Sequence, residues 1–284
     1  MYKMRYIIIV ILLAIAFFSG TPKAQETKPD VISQPDITII ENSVEVKKSR
    51  DYKLEELPSV IKPKGSDAFS IIISKTQKPF LGDGRVTDAH ETTHMIQAEA
   101  RNRRVINGLR GLPASFYIYP HSVYHTLQPR FKKSDVIKYV PKSLRASRFN
   151  LYLQGQQGWD DYPLYILDEH IAYINGAIVA IEDKEMGIKG DSVNPVEGPL
   201  EFAIYTIATC MAARDLHPEF WANEDFQNFI YAAIKKSEEV FKAGRKIYPF
   251  ERQESILRAL QTSPDAEPIR AFLKEHLDSF FLSI

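Results

Sequence analysis

The chain of 284 residues has a single cysteine, Cys210. An exported chain with one thiol cannot close an internal disulfide, so its stability must come from its core. Cys210 lies in AIYTIATCMAA, an apolar helical stretch, where a buried, inert thiol is expected. Excess charge is lacking too: 36 basic residues meet 36 acidic ones, which does not suit a nucleic-acid binder. No apolar run reaches the roughly 20 residues that a membrane-spanning helix needs. The longest candidate, Tyr6 to Phe18, has 13. No internal repeat is visible.

That run has an order of its own. Lys3 and Arg5 precede it, small and polar residues follow it, and Ala24 stands at a plausible cleavage position, which is the layout of a secretory signal peptide. An uncleaved N-terminal anchor is the alternative. No cysteine near the run offers a lipid attachment point. Removal of residues 1–24 leaves about 260, enough for one large domain or two small ones. We expect an exported protein, periplasmic or secreted, with no stable membrane span once the signal is gone.

Residues 25–65 are rich in Pro, Lys, Glu and Ser and read as an extension or linker, in which ITII and SVEVK could pair as strands. The main domain is expected over 66–284. FSIIIS (69–74), FYIYP (116–120) and RFNLYL (148–153) read as strands. From Pro163, a residue suited to a first helical position, the chain reads as helical to its end. Two nearly all-apolar helices come first, then three amphipathic ones. The pattern is α+β, with a small sheet near the first helix and a mainly helical C-terminal half.

The segment DAHETTHMI (88–96) opens that first helix, with Thr87 or Asp88 as the expected N-cap. On a helix, His90 and His94 lie about 40° apart and one turn along. Their imidazoles can close on one ion, with Zn–N distances of about 2.0–2.1 Å. Glu91 projects roughly 100° round, beside the pair. That assigns the histidines as zinc ligands and Glu91 as general base. Ala89, Thr93, Ile96 and Ala100 form a separate stripe for burial. The opposing interpretation is a solvated His/Glu face on a surface helix.

A hydrolytic zinc site needs a third protein ligand and one open position. The longer pattern HExxHxxGxxH is excluded, because Gln97 and Ala100 stand where it needs Gly and His. Glu99 points away from the pair. After it there is no glutamate until Glu169, which sits inside a nearly wholly apolar helix, where an unpaired carboxylate is costly. A metal ion is the simplest partner for it. Glu201, on the second apolar helix, is the runner-up, and Asp168 or His170 could ligate instead.

HETTH followed by DEHIAY in a buried helix resembles the gluzincin branch of the zincin metallopeptidases, over roughly residues 66–185. The resemblance implies a zincin-like fold with a strand, here FSIIIS, ahead of the HExxH helix. It implies one Zn2+ held by His90, His94 and Glu169, with Glu91 as base. Tyr173, four residues past Glu169 on the same face, could hydrogen-bond an oxyanion or a ligand carboxylate; a plain core tyrosine is the other interpretation. His121 and His125 would share a face if HSVYH were helical, and could bind substrate or be ordinary loop residues.

Residues 101–150 hold eleven Lys or Arg and one acidic residue, Asp135. Bordering a cleft, they would steer an anionic or C-terminal-carboxylate substrate inward; otherwise they are solvated surface. Trp159 and Tyr162 line the pocket or belong to the core. The expected function is an exported zinc-dependent hydrolase that cleaves peptide bonds in a peptide or protein substrate. The rivals are a non-catalytic zinc-containing scaffold of the envelope and a metal-free helical interaction domain.

Overall fold

A computed structural model describes residues 52–106, 111–189 and 194–284. The signal-like run and the ITII and SVEVK segments lie outside the described residues. The described chain is α+β. A three-stranded antiparallel sheet accompanies seven α-helices of six residues or more, labelled α1 to α7 below, a 3-10 helix over Lys133–Tyr139 and several shorter turns.

The sheet has the order β1–β3–β2, from β1 (Leu54–Glu56), β2 (Pro113–Ile118) and β3 (Ser122–Leu127). β1 lies within the stretch that reads as an extension in sequence. β2 and β3 pair with Phe116 opposite Tyr124 and Tyr117 opposite Val123. Successive side chains leave a strand on opposite faces. Phe116 and Tyr124 therefore enter the large helical core, while Tyr117 and Val123 pack on the helix that carries HETTH.

That helix, α2, runs Arg85–Ile106. Its Ala89, Ile96 and Ala100 are buried against Tyr117 and Val123, so the expected stripe faces the sheet. The helix begins earlier than Thr87 or Asp88. Asp88 sits in its first turn and works backwards, accepting hydrogen bonds from the backbone N–H groups of Gly82 and Asp83 to fold the preceding loop. Gly82 and Gly84 have φ of 146° and 96°, a region that favours glycine.

FSIIIS is not a strand. Ala68–Ile73 forms the short helix α1, capped by Asp67, whose Oδ1 accepts the Ser70 N–H at 3.1 Å. Glu182 accepts the Ala68 N–H at 2.6 Å, and Ala68 and Ile72 are buried beside α2. Capping and burial override the β preference of three consecutive isoleucines. The strand expected ahead of the HExxH helix is thus a helix, and the only described sheet follows α2 apart from β1.

RFNLYL is also helical: Ser147–Phe149 runs into a wide turn over Asn150–Gln154. It contains no β-branched residue. Its loose carbonyls are gathered by the buried ammonium of Lys133, which donates to Tyr152 O, Leu153 O and Gly155 O at 2.6–3.1 Å.

The C-terminal half is helical as expected. α3 (Tyr165–Glu185) starts two residues after Pro163, and α4 (Glu197–Leu216) lies fully buried beside it over most of its length. Around them pack α5 (Glu224–Ile247), α6 (Glu251–Thr262) and α7 (Glu267–His276). Among the described residues no helix is long and apolar enough to cross a membrane. α2 and α3 lie against each other at Gly176, where an added Cβ would come 3.3 Å from Val86 O and 3.6 Å from His90 Cβ. Asn175 Nδ2 donates to Thr93 Oγ1 across the same contact, at 3.2 Å.

Candidate metal centre

The packing of α2 on α3 sets two histidines against one glutamate. His90 Nε2 and His94 Nε2 lie 3.2 Å apart. Glu169 Oε2 lies 3.5 Å from the first and 3.4 Å from the second. These three atoms form a nearly equilateral triangle. Ligands at about 2.0–2.1 Å from a tetrahedral zinc stand ~3.3–3.4 Å from one another, so the triangle has the dimensions of one face of such a tetrahedron. Among the described residues, His90, His94 and Glu169 are the group able to hold a metal ion.

A second observation is independent of those spacings. Glu169 Oε2 is buried and accepts no hydrogen bond. Its sister Oε1 is satisfied by the Tyr165 hydroxyl at 2.5 Å. A buried polar atom without a partner is a costly thing for a protein to keep, and this one points at two imidazole nitrogens. The donor set of two imidazoles and one carboxylate is also a zinc set with a fourth position to spare.

The charges couple as the geometry requires. Burial opposes the imidazolium of His94, yet Glu169 and Asp168 outweigh it and lift the ring well above the usual histidine range. Burial likewise opposes the Glu169 carboxylate, and His94 with His90 overcomes it, holding the group well below the usual carboxylate range. Side-chain exposure is 13% for His90, 22% for His94 and 5% for Glu169, so the glutamate forms the floor and the histidines the rim. Glu91, which follows His90 on α2, is half-buried, and no hydrogen bond or ion pair among the described residues engages it.

Several other candidates are placed elsewhere. Glu201 is not at the triangle: its oxygens take the Arg148 N–H, the Arg148 guanidinium and the Tyr205 hydroxyl, at 2.8, 3.0 and 2.6 Å. Asp168 does not reach the triangle either; its Oδ1 meets His94 Nδ1 at 2.5 Å. His170 is a hydrogen-bonded core residue between Thr206 and Ser237. HSVYH is not helical. His125 lies on β3, bonded to Ser115 and Glu55, and His121 precedes the strand, with its Nδ1 2.9 Å from the buried ammonium of Lys75. Glu99 turns away to accept the Thr76 hydroxyl at 2.6 Å.

Tyr173 lies beside the site without touching Glu169 through its hydroxyl. Its ring meets that of His90 edge-on at 4.5 Å. Its hydroxyl bonds Arg148 Nε at 3.1 Å and the Tyr152 hydroxyl at 3.2 Å. The tyrosine that holds the Glu169 carboxylate is Tyr165, four residues before Glu169 rather than four after. Trp159 stacks on Tyr165 with rings 4.9 Å apart. Sequence pattern assigns no part to Tyr165, Tyr152 or Arg101, and Gln97 figures in it only as a mismatch to the longer HExxH pattern; only the spacing of Tyr165 to Glu169 and of Arg101 to His94, both one-face helical spacings, carries a trace of these contacts.

The basic segment is partly spent on internal bonds. Arg101 pairs with Asp168, Arg148 with Glu197 and Glu201, and Lys133 and Arg145 with backbone carbonyls. No family model, no curated protein and no solved structure matches the chain.

Proposed function

We propose that this protein is a zinc-dependent hydrolase, exported by its N-terminal segment, that cleaves peptide bonds. The observation that carries this reading is the buried, unpartnered Oε2 of Glu169, set at tetrahedral-edge distances from two imidazole nitrogens. His90, His94 and Glu169 would hold the ion. When bound, zinc lowers the pKa of a coordinated water to about 7 and polarises a carbonyl.

The remaining steps belong to the chain's own side chains. Tyr165 occupies Glu169 Oε1 and leaves Oε2 as the single ligand atom. Glu91, next to His90 and without a competing partner, takes the proton of the attacking water on its carboxylate. It then returns that proton to the departing amine nitrogen. Tyr173, held by Arg148 and Tyr152 beside His90, is the proposed donor to the developing oxyanion. An amide is the proposed target because its nitrogen must be protonated to leave, and Glu91 is the proposed store of a proton for that step.

The test is twofold. Purified protein supplied with zinc should retain one ion per chain. Peptide-mixture hydrolysis should fall by about 10²–10⁴-fold in Glu91→Gln, the usual contribution of a general base, with zinc content unchanged. Protein that stays metal-free defeats the reading. Zinc binding with no hydrolysis to lose makes the protein the zinc-containing scaffold instead.

A further inference from the structure

We propose that Asp168 and Arg101 are a positioning pair that fixes the ring of His94 in the one tautomer able to bind the ion; this rests on the metal reading above. Asp168 Oδ1 lies 2.5 Å from His94 Nδ1. An ionised carboxylate has no hydrogen to give, so Nδ1 carries the hydrogen and donates it. Nε2 is then the nitrogen whose hydrogen a cation can displace, leaving a lone pair for it. It is Nε2, not Nδ1, that stands in the triangle with His90 and Glu169.

The choice of tautomer matters because a neutral imidazole in water prefers its hydrogen on Nε2. Left to itself, His94 would point that hydrogen at the place where the cation belongs. Asp168 reverses the preference, so the hydrogen that stays when Nε2 is vacated for a cation is the one on Nδ1. Ligating histidines generally donate their other N–H to a carboxylate or carbonyl, which orients the ring and raises its basicity.

Arg101 completes the device. Its Nη1 donates to Asp168 Oδ2 at 2.7 Å, so each carboxylate oxygen has its own partner and the group cannot swing onto the ion itself. Gln97 fixes the backbone beneath: its Nε2 donates to Asp168 O at 3.2 Å, while its Oε1 accepts the Tyr117 N–H of β2 at 3.2 Å. His94, Gln97 and Arg101 stand at intervals of three and four on α2, one face of the helix, and all three engage the same residue of α3. Among the described residues no carboxylate meets His90 Nδ1, and the Tyr173 ring edges His90 instead. The adjacent pair Asp168 and Glu169 thus divides one task, Glu169 meeting the ion and Asp168 the ion's histidine.

The experiment measures zinc affinity by chelator competition at one fixed pH, with ¹⁵N-histidine NMR of the zinc-loaded wild-type protein. The spectrum should show His94 with hydrogen on Nδ1 and metal on Nε2. Asp168→Ala should weaken zinc binding by about 10–100-fold, the usual cost of losing such a partner. Asp168→Asn, whose amide oxygen still accepts the N–H, should recover part of the loss, and Arg101→Met should fall between wild type and Asp168→Ala. Arg85→Met removes a similar helix clamp, to Asp67 and Asp183 and away from the triangle, and should lower Tm without changing zinc affinity.

Wild-type affinity in Asp168→Ala, with binding lost in His90→Ala, overturns the pairing and leaves the metal site standing. Metal on Nδ1 of His94 does the same. If Asp168→Ala does not fold, the wild-type spectrum and Arg101→Met decide. A wild-type chain that takes up no zinc overturns both readings.

Discussion

Glu169 Oε2 lies 3.4 Å from His94 Nε2 and takes no hydrogen bond from it. A cation seated between them would turn this long contact into two coordinate bonds. Zinc should therefore stabilise the fold. At a free concentration 100 times its Kd a ligand adds about 2.7 kcal/mol, a rise in Tm of roughly 5–10 °C for a chain of this size. Glu169→Ala should abolish the zinc-dependent rise in a thermal melt, as should His90→Ala. A melt of the wild-type protein that is indifferent to zinc and to chelator would remove the site.

Tyr165 tests how tightly that carboxylate is held. Its hydroxyl donates to Oε1 at 2.5 Å within the core, with Trp159 stacked over its ring. Tyr165→Phe keeps the stack and removes the donor, which leaves both oxygens of Glu169 without a hydrogen bond. We expect a loss of about 1–3 kcal/mol in the metal-free protein, the usual cost of an orphaned buried acceptor. Urea denaturation with and without zinc should show it. A change below 0.5 kcal/mol in both states would mean that Tyr165 does not fix the ligand.

The parts of this arrangement differ in how far the sequence exposes them. His90, Glu91 and His94 are legible because helical spacing alone puts them on one turn. Glu169 is legible because a carboxylate in DEHIAY, deep in an apolar helix, needs a partner. Asp168 sits in the same stretch, but which of two adjacent carboxylates meets the Nε2 pair and which meets His94 Nδ1 depends on how α3 is rotated against α2, at the contact made by Gly176 and the Asn175–Thr93 bond, rather than on local pattern. FSIIIS misleads for a related reason. Its isoleucines favour a strand, but among the described residues no strand pairs with it, and Asp67 and Glu182 accept free N–H groups of a helix instead. RFNLYL takes its shape from Lys133, more than a dozen residues upstream, so no window on the segment itself reveals it.

His170 predicts the acid limb of stability. Ser237 gives its hydroxyl hydrogen to Pro199 O at 2.7 Å, so it accepts from His170 Nε2, and Nδ1 accepts from Thr206. The neutral ring is fully satisfied, and burial pushes its pKa down to about 3. Between pH ~6.5, the value in an unfolded chain, and about 3, the unfolded state binds a proton that the folded state refuses. The contribution is thus whole above pH ~6.5 and is lost as pH falls, by at most about 1.4 kcal/mol per pH unit. His170→Gln should flatten the fall of Tm with pH across that window, even with a lower Tm at neutral pH. An unchanged slope would assign the acid limb to other groups.

Gly176 ties the helix contact to the candidate metal site, and two opposing magnitudes decide its substitutions. In Gly176→Ala the helix gains about 1 kcal/mol of propensity. Against this, the new methyl meets Val86 O at 3.3 Å, tighter than ordinary contact, and His90 Cβ at 3.6 Å. A shift of a few tenths of an ångström accommodates it, so Gly176→Ala should lie within about 1 kcal/mol of wild type by thermal melt. Gly176→Val adds two branches to the same crowded point and loses the propensity gain, and overpacking of this kind costs about 1–3 kcal/mol. It should also push the α2 backbone at His90 away from Glu169. Because the three ligand atoms share one small triangle, that displacement should weaken zinc binding more than it weakens the fold. Chelator competition beside the melt gives both numbers for each variant. Zinc affinity that stays at the wild-type value in a destabilised Gly176→Val protein would show that the close approach of α2 and α3 serves packing alone.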